Sequence, residues 1–148
     1  MIIQLCAAFF GSLGFAIFFK MQGKQVWLAG LGGFMTWGIY LVAFHYSQSY
    51  FIGNLIAAIF VAIFAEIMAR VNKAPTTIFL TAAAVPLIPG GSLYYTMFGL
   101  VSEDEELFVE SGTKAVVIAL AIAFGFVTVA VINKYVIRFI YKNKQINK

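Results

Sequence analysis

Apolar residues fill this chain in long blocks, and charged residues mark where the blocks end. Charge-free stretches run over residues 1–19, 25–65, 74–102 and 115–133. A helix needs about 20 mainly apolar residues to cross a hydrocarbon core of about 30 Å. The block at 25–65 is about twice that and must fold back on itself. The pattern therefore predicts helical spans at about 2–19, 26–44, 51–68, 77–101 and 115–132, followed by a basic tail at 133–148. The polar break His45-Tyr46-Ser47-Gln48-Ser49-Tyr50 carries aromatics at both ends, as expected at a headgroup interface. The first block reads as a retained span. No basic region precedes it, and Phe18-Phe19-Lys20 offers no small-residue cleavage site.

The fourth block differs from the others. Residues 78–85 and 92–101 read as helix, but Pro86-Leu87-Ile88-Pro89-Gly90-Gly91 between them does not. Proline removes a backbone donor and clashes with the preceding turn, and glycine favours non-helical backbone. Ser92 reads as the N-cap of the second half. The segment is either one broken span or a re-entrant hairpin, and charge decides between them. Lys20 and Lys24 follow the first span, Arg70 and Lys73 the third, and Lys134, Arg138, Lys142, Lys144 and Lys148 the fifth. Glu103, Asp104, Glu105, Glu106 and Glu110 follow the break. A single crossing puts every basic segment in the cytoplasm and the acidic loop outside with the N-terminus. A hairpin would put the basic tail outside. The reading is five spans, N-terminus out and C-terminus in.

Composition agrees and narrows the function. Of 148 residues, 62% are hydrophobic and 11% charged, against about a quarter charged in soluble domains. The expectation is one all-α integral membrane domain over residues 1–148. The net charge of +4 lies at span ends, where it sets orientation rather than binding nucleic acid. Cys6 stands alone, so no disulfide forms within the chain. His45 stands alone too and reads as an interfacial residue rather than a metal ligand. With no nucleophile–base set or metal cluster in the spans, no enzyme, metal or cofactor is expected. Small residues four apart (Ala7/Gly11, Ala29/Gly33, Gly53/Ala57, Ala58/Ala62, Ala121/Gly125) are candidates for close helix packing in lipid.

The break is the strongest candidate site. Unpaired backbone groups in hydrocarbon cost several kcal/mol each, so irregular backbone there survives only inside protein or beside a watery cavity. By residue count it falls near the centre of the 77–101 block, and broken helices at the midplane form substrate sites in many transporters. Free carbonyls before Pro86 suit an ammonium or cation, and free N–H groups after Gly91 suit a carboxylate. A zwitterion fits both. The competing reading is a proline kink in a packed helix. Thr81, Ser92, Tyr94, Tyr95 and Thr96 surround the break. Their hydroxyls either meet a substrate or bond back to their own helix.

The run Ala83-Ala84-Val85-Pro86-Leu87-Ile88-Pro89-Gly90-Gly91-Ser92-Leu93-Tyr94-Tyr95-Thr96-Met97 resembles the signature of the threonine/serine exporter family. The likeness is to the small-subunit type, which corresponds to the C-terminal half of the fused exporters. Its pattern Pro-x-x-Pro-Gly-x-x-x-Tyr is matched by Pro86, Pro89, Gly90 and Tyr94. The resemblance implies export of small amino acids, or in some members of a dicarboxylate such as succinate, across the bacterial inner membrane. It also implies a larger membrane subunit as partner. A homo-oligomer and a non-transporting assembly role are the alternatives.

Three further features have simpler readings. Glu66 is the one acidic residue bordering a span, hence a candidate ion carrier, but it stands four residues before Arg70, a favourable helical ion pair. Ser102-Glu103-Asp104-Glu105 reads as a capping box opening a short external helix that Gly112 closes, a solvated cap rather than a calcium loop. Lys134, Arg138 and Lys142 form one basic helical stripe, suited to anionic lipid or to the partner.

Overall fold

The computed structural model describes the backbone of residues 1–146 and the side chains of residues 1–135. Six α-helices follow one another: α1 Ile2–Phe18, α2 Lys24–Ser47, α3 Tyr50–Asn72, α4 Thr76–Ala84, α5 Gly90–Val101 and α6 Glu105–Ile146. A 3-10 turn, Val85–Leu87, follows α4. Three helices are long and apolar enough to cross a membrane: Lys24–Ser47, Tyr50–Asn72 and Glu105–Tyr135. The α4–α5 pair, bent by 56°, makes a fourth if it counts as one span. Helix α1 is a shorter apolar helix of 17 residues, about 25 Å long, at the lower end of what a span requires. Large apolar side chains such as Phe10, Phe18, Ile67, Phe124 and Val127 point outward, as on a surface covered by lipid.

The helices stop where charged or polar residues adopt the left-handed conformation: Lys20 (φ 57°), Gln48 (φ 52°), Lys73 (φ 50°) and Glu103 (φ 57°). At three of these ends the next N–H reaches back five residues, Met21 to Ala16 O, Ala74 to Ala69 O and Asp104 to Gly99 O. This closure usually uses glycine. Here the hydrophilic residue that must face water takes the strained position.

Close approach of small residues builds the interior. Buried alanines dominate both apolar clusters, Ala16, Ala29, Ala65, Ala69 and Ala82 in one and Ala57, Ala58 and Ala83 in the other. A Cβ on Gly125 would come within 2.6 Å of Ala58 Cβ, and one on Gly32 within 2.9 Å of Ala83 Cβ. Four of the five small-residue pairs read from the sequence are buried. The exception is Ala7/Gly11: a Cβ on Gly11 would meet nothing within 4 Å. The buried seam of α1 is Ala8, Ser12 and Ala16 instead, one position along the helix.

Two expectations at the acidic segment change. No helix ends at Gly112; α6 runs through it without interruption. The glycine leaves room for Thr96 of α5, whose Cγ2 would lie 3.4 Å from an added Cβ. Nor does Ser102 open the helix. Asp104 does, its carboxylate accepting the Leu107 N–H at 3.0 Å. Helices α5 and α6 thus form an antiparallel hairpin, closed where Gly99 lies against the Phe108 backbone. Helix α4 packs on α1, α2 and α3, whereas α5 packs on α6. Of the basic stripe, Arg138 and Lys142 lie outside the described side chains.

Candidate functional site at the proline–glycine elbow

The elbow follows from its two prolines. Without an N–H, Pro86 cannot continue the α-helical ladder, and the chain tightens into the 3-10 turn, with the Ile88 N–H donating to Val85 O at 3.1 Å. Ile88, which precedes Pro89, is extended (φ −61°, ψ 126°), the conformation a following proline favours. Helix α5 then starts at Gly90. Leu93 N–H donates to Pro89 O at 2.9 Å and Gly90 N–H to Ile88 O at 2.7 Å. The N–H groups of Gly91 and Ser92 have no protein acceptor among the described residues. Ser92 is therefore not the N-cap; Pro89 occupies that position, and no side chain caps the helix.

Gly91 and Ser92 border a cavity of about 330 Å³, at the lower end of the range of small-ligand sites. Pro86, Pro89, Gly90, Gly91, Ser92 and Tyr95 form one wall. Trp37 and Tyr40 of α2, Asn54 of α3, and Glu110, Ser111 and Lys114 of α6 form the others. Asn54 of α3 lines the cavity, and Leu87 of the elbow shares an apolar cluster with Ala57, Ala58 and Val61 along α3. Neither Gly90 nor Gly91 has a positive φ, and a Cβ on either would meet nothing within 4 Å. The backbone there does not demand glycine; the missing side chains leave the cavity open.

Three residues of the predicted cluster are absent from its walls. Thr81 is exposed on α4 and donates to Thr77 O at 2.7 Å. Thr96 donates to Ser92 O at 2.7 Å and lies against Gly112. Tyr94 is exposed and stacks on Phe98 (6.3 Å, 14°). Both threonine hydroxyls thus bond back to their own helices. Glu66 pairs with Arg70 at 3.1 Å, and Arg70 also donates to Asn133 Oδ1 at 2.6 Å, at the opposite end of α3 from the cavity.

The side chains that the sequence reading missed are the polar ones from other helices. Asn54, 2% exposed, donates through Nδ2 to Tyr50 O at 2.8 Å, and its Oδ1 has no partner among the described residues. Trp37 Nε1 is buried without an acceptor. Lys114 Nζ lies 4.1 Å from the centroid of the Tyr50 ring, a cation–π contact. A lone asparagine within an apolar block was a readable signal. The return of Glu110 and Lys114 to the elbow was not, because it depends on the α5–α6 hairpin. A larger cavity of about 700 Å³, among Phe34, Val42, Ile52 and Ile56, is almost entirely apolar and offers nothing to orient a polar ligand.

A model of the family described as Threonine/Serine exporter, ThrE matches residues 4–132. The chain belongs to this family. The match includes every residue that lines the elbow cavity. No solved structure matches the chain. Membership of the threonine/serine exporters, together with the apolar helices, makes the chain a multi-pass membrane transporter of exporter type rather than an enzyme family member.

Proposed function

We propose that this protein is the small subunit of a bacterial inner-membrane exporter for threonine, serine or similar small polar metabolites, working with a larger membrane subunit. In this reading α1, α2, α3, the bent α4–α5 pair and α6 are five spans. The turns carrying Lys20, Lys24, Arg70 and Lys73 face the cytoplasm with the C-terminus. The elbow cavity is the substrate site. Pro86 and Pro89 break the helix, Gly90 and Gly91 hold the space open, and Ser92 and Tyr95 border it. Thr81, Tyr94 and Thr96 support the two half-helices. Glu66 acts through its pair with Arg70 and carries no coupling ion.

The observation that carries this reading is the uncapped start of α5 at a cavity. Two N–H groups there lack protein partners, and a helix N-terminus attracts a carboxylate. The ammonium of an amino acid then has the Glu110 carboxylate in the facing wall, because the Val85, Ile88 and Pro89 carbonyls are already taken by backbone N–H groups. A dicarboxylate is less well served, since a carboxylate, Glu110, shares the wall with the one lysine there. The test is threonine efflux from cells expressing this chain with and without its larger partner. Efflux that needs both chains and is lost with Gly90→Leu supports the proposal. Efflux unaffected by Gly90→Leu, with the protein at normal abundance, overturns it.

A further inference from the structure

The wall formed by α6 holds two opposite charges that do not neutralise one another. Glu110 and Lys114 stand four residues apart in the order that favours an intrahelical ion pair. Yet the one ion pair among the described residues is Glu66–Arg70. Lys114, half-buried, rests on the face of Tyr50 instead, and Glu110 is exposed at the rim. Both line the elbow cavity. A cation held by a ring keeps its full charge for a third group, and so does a carboxylate left without a partner. Asn54, which lines the same cavity, adds a polar side chain.

We infer that Lys114 and Glu110 are the residues that select a zwitterion: Lys114 takes the substrate carboxylate, beside the free N–H groups of Gly91 and Ser92, and Glu110 takes the ammonium. The inference rests on the cavity being the substrate site and adds which side chains read the substrate's charge. Tyr50 is a positioning residue, since its ring keeps Lys114 away from Glu110. A substrate lacking the carboxylate leaves half-buried Lys114 without a counter-ion, and one lacking the ammonium brings its anion to Glu110 with no compensating contact, so both bind less well.

The experiment uses membrane vesicles containing this chain with its larger partner and radiolabelled threonine. Two competitors are added: threoninol, which lacks the carboxylate, and 3-hydroxybutyrate, which lacks the ammonium. With the wild type neither should compete. Lys114→Gln should raise the half-saturating threonine concentration about tenfold to a hundredfold, the range set by a lost charge-assisted hydrogen bond, and should let threoninol compete. Glu110→Gln should let 3-hydroxybutyrate compete. Lys114→Arg should retain both affinity and discrimination. Unchanged affinity and discrimination in Lys114→Gln, with robust wild-type transport, would overturn this inference and leave the exporter reading standing. Equal loss in Lys114→Gln and Lys114→Arg would also overturn it, by showing a merely structural lysine. A wild-type complex that moves no amino acid would overturn the exporter reading, and this inference with it.

Discussion

Gly125 of α6 lies directly on Ala58 of α3: a Cβ added to the glycine would stand 2.6 Å from the alanine Cβ and 3.2 Å from both Leu55 O and Ile59 N. Two of these neighbours are backbone and cannot move aside as a flexible side chain would. Gly125→Leu is therefore expected to push α6 off α3 and lower the thermal unfolding midpoint of the detergent-purified protein. Gly11→Leu, where a Cβ meets nothing within 4 Å, is expected to leave that midpoint unchanged. Equal midpoints for the two variants would refute the packing argument.

The same comparison separates filling the elbow from breaking it. Gly90→Ala is expected to fold normally, since its Cβ has open space and its φ is negative. A leucine there would occupy the cavity, so Gly90→Leu should keep its abundance and lose transport. Gly99→Leu behaves differently, because a Cβ would lie 2.7 Å from Phe108 N. It should open the α5–α6 hairpin and reduce the amount of protein in the membrane. Western blotting beside an efflux assay distinguishes the two effects.

Glu66 sits in a partly exposed pair with Arg70, whose side chain is 56% exposed, and such a pair contributes at most about 1 kcal/mol. Glu66→Gln is expected to lower stability by no more than that and to leave threonine efflux within about twofold of wild type, a factor worth well under 1 kcal/mol. Loss of proton-dependent efflux in this variant, with normal abundance, would make Glu66 an ion carrier after all.

At the start of α6, Asp104 accepts the Leu107 N–H at 3.0 Å. Asp104→Ala removes this cap and should cost about 1 kcal/mol. Asp104→Asn or Asp104→Ser should recover most of it. Ser102→Ala should cost less, because Ser102 caps nothing in α6 and its hydroxyl donates to Phe98 O at 2.7 Å. Thermal unfolding of the three Asp104 variants and Ser102→Ala would settle which residue starts the helix.

Hydrophobic blocks made the helices readable, because lipid requires long apolar runs and charge cannot enter them. The elbow was readable for a similar reason: Pro86 and Pro89 remove two N–H groups that no other residue can restore. The helix ends were harder. Lys20, Lys73 and Glu103 occupy positions where glycine is the usual signal, so nothing in their identity announced the turn. Gly112 misled in the opposite sense, since its value is the space it leaves for Thr96 rather than any freedom of φ. The polar half of the cavity was hidden because residues 54 and 114 meet only through packing. Short-range spacing carries no trace of that.

Helix α6 has one further mechanical consequence. It passes close to α3 at Gly125, while Lys114 lies about 16 Å along the axis in one direction and Asn133 about 12 Å in the other, at 1.5 Å per residue. A rigid rod held at such a fulcrum swings its two arms in opposite senses. A tilt that widened the space around Lys114 would press the far arm toward Arg70, coupling the elbow cavity to the Glu66–Arg70 end of α3 through one helix.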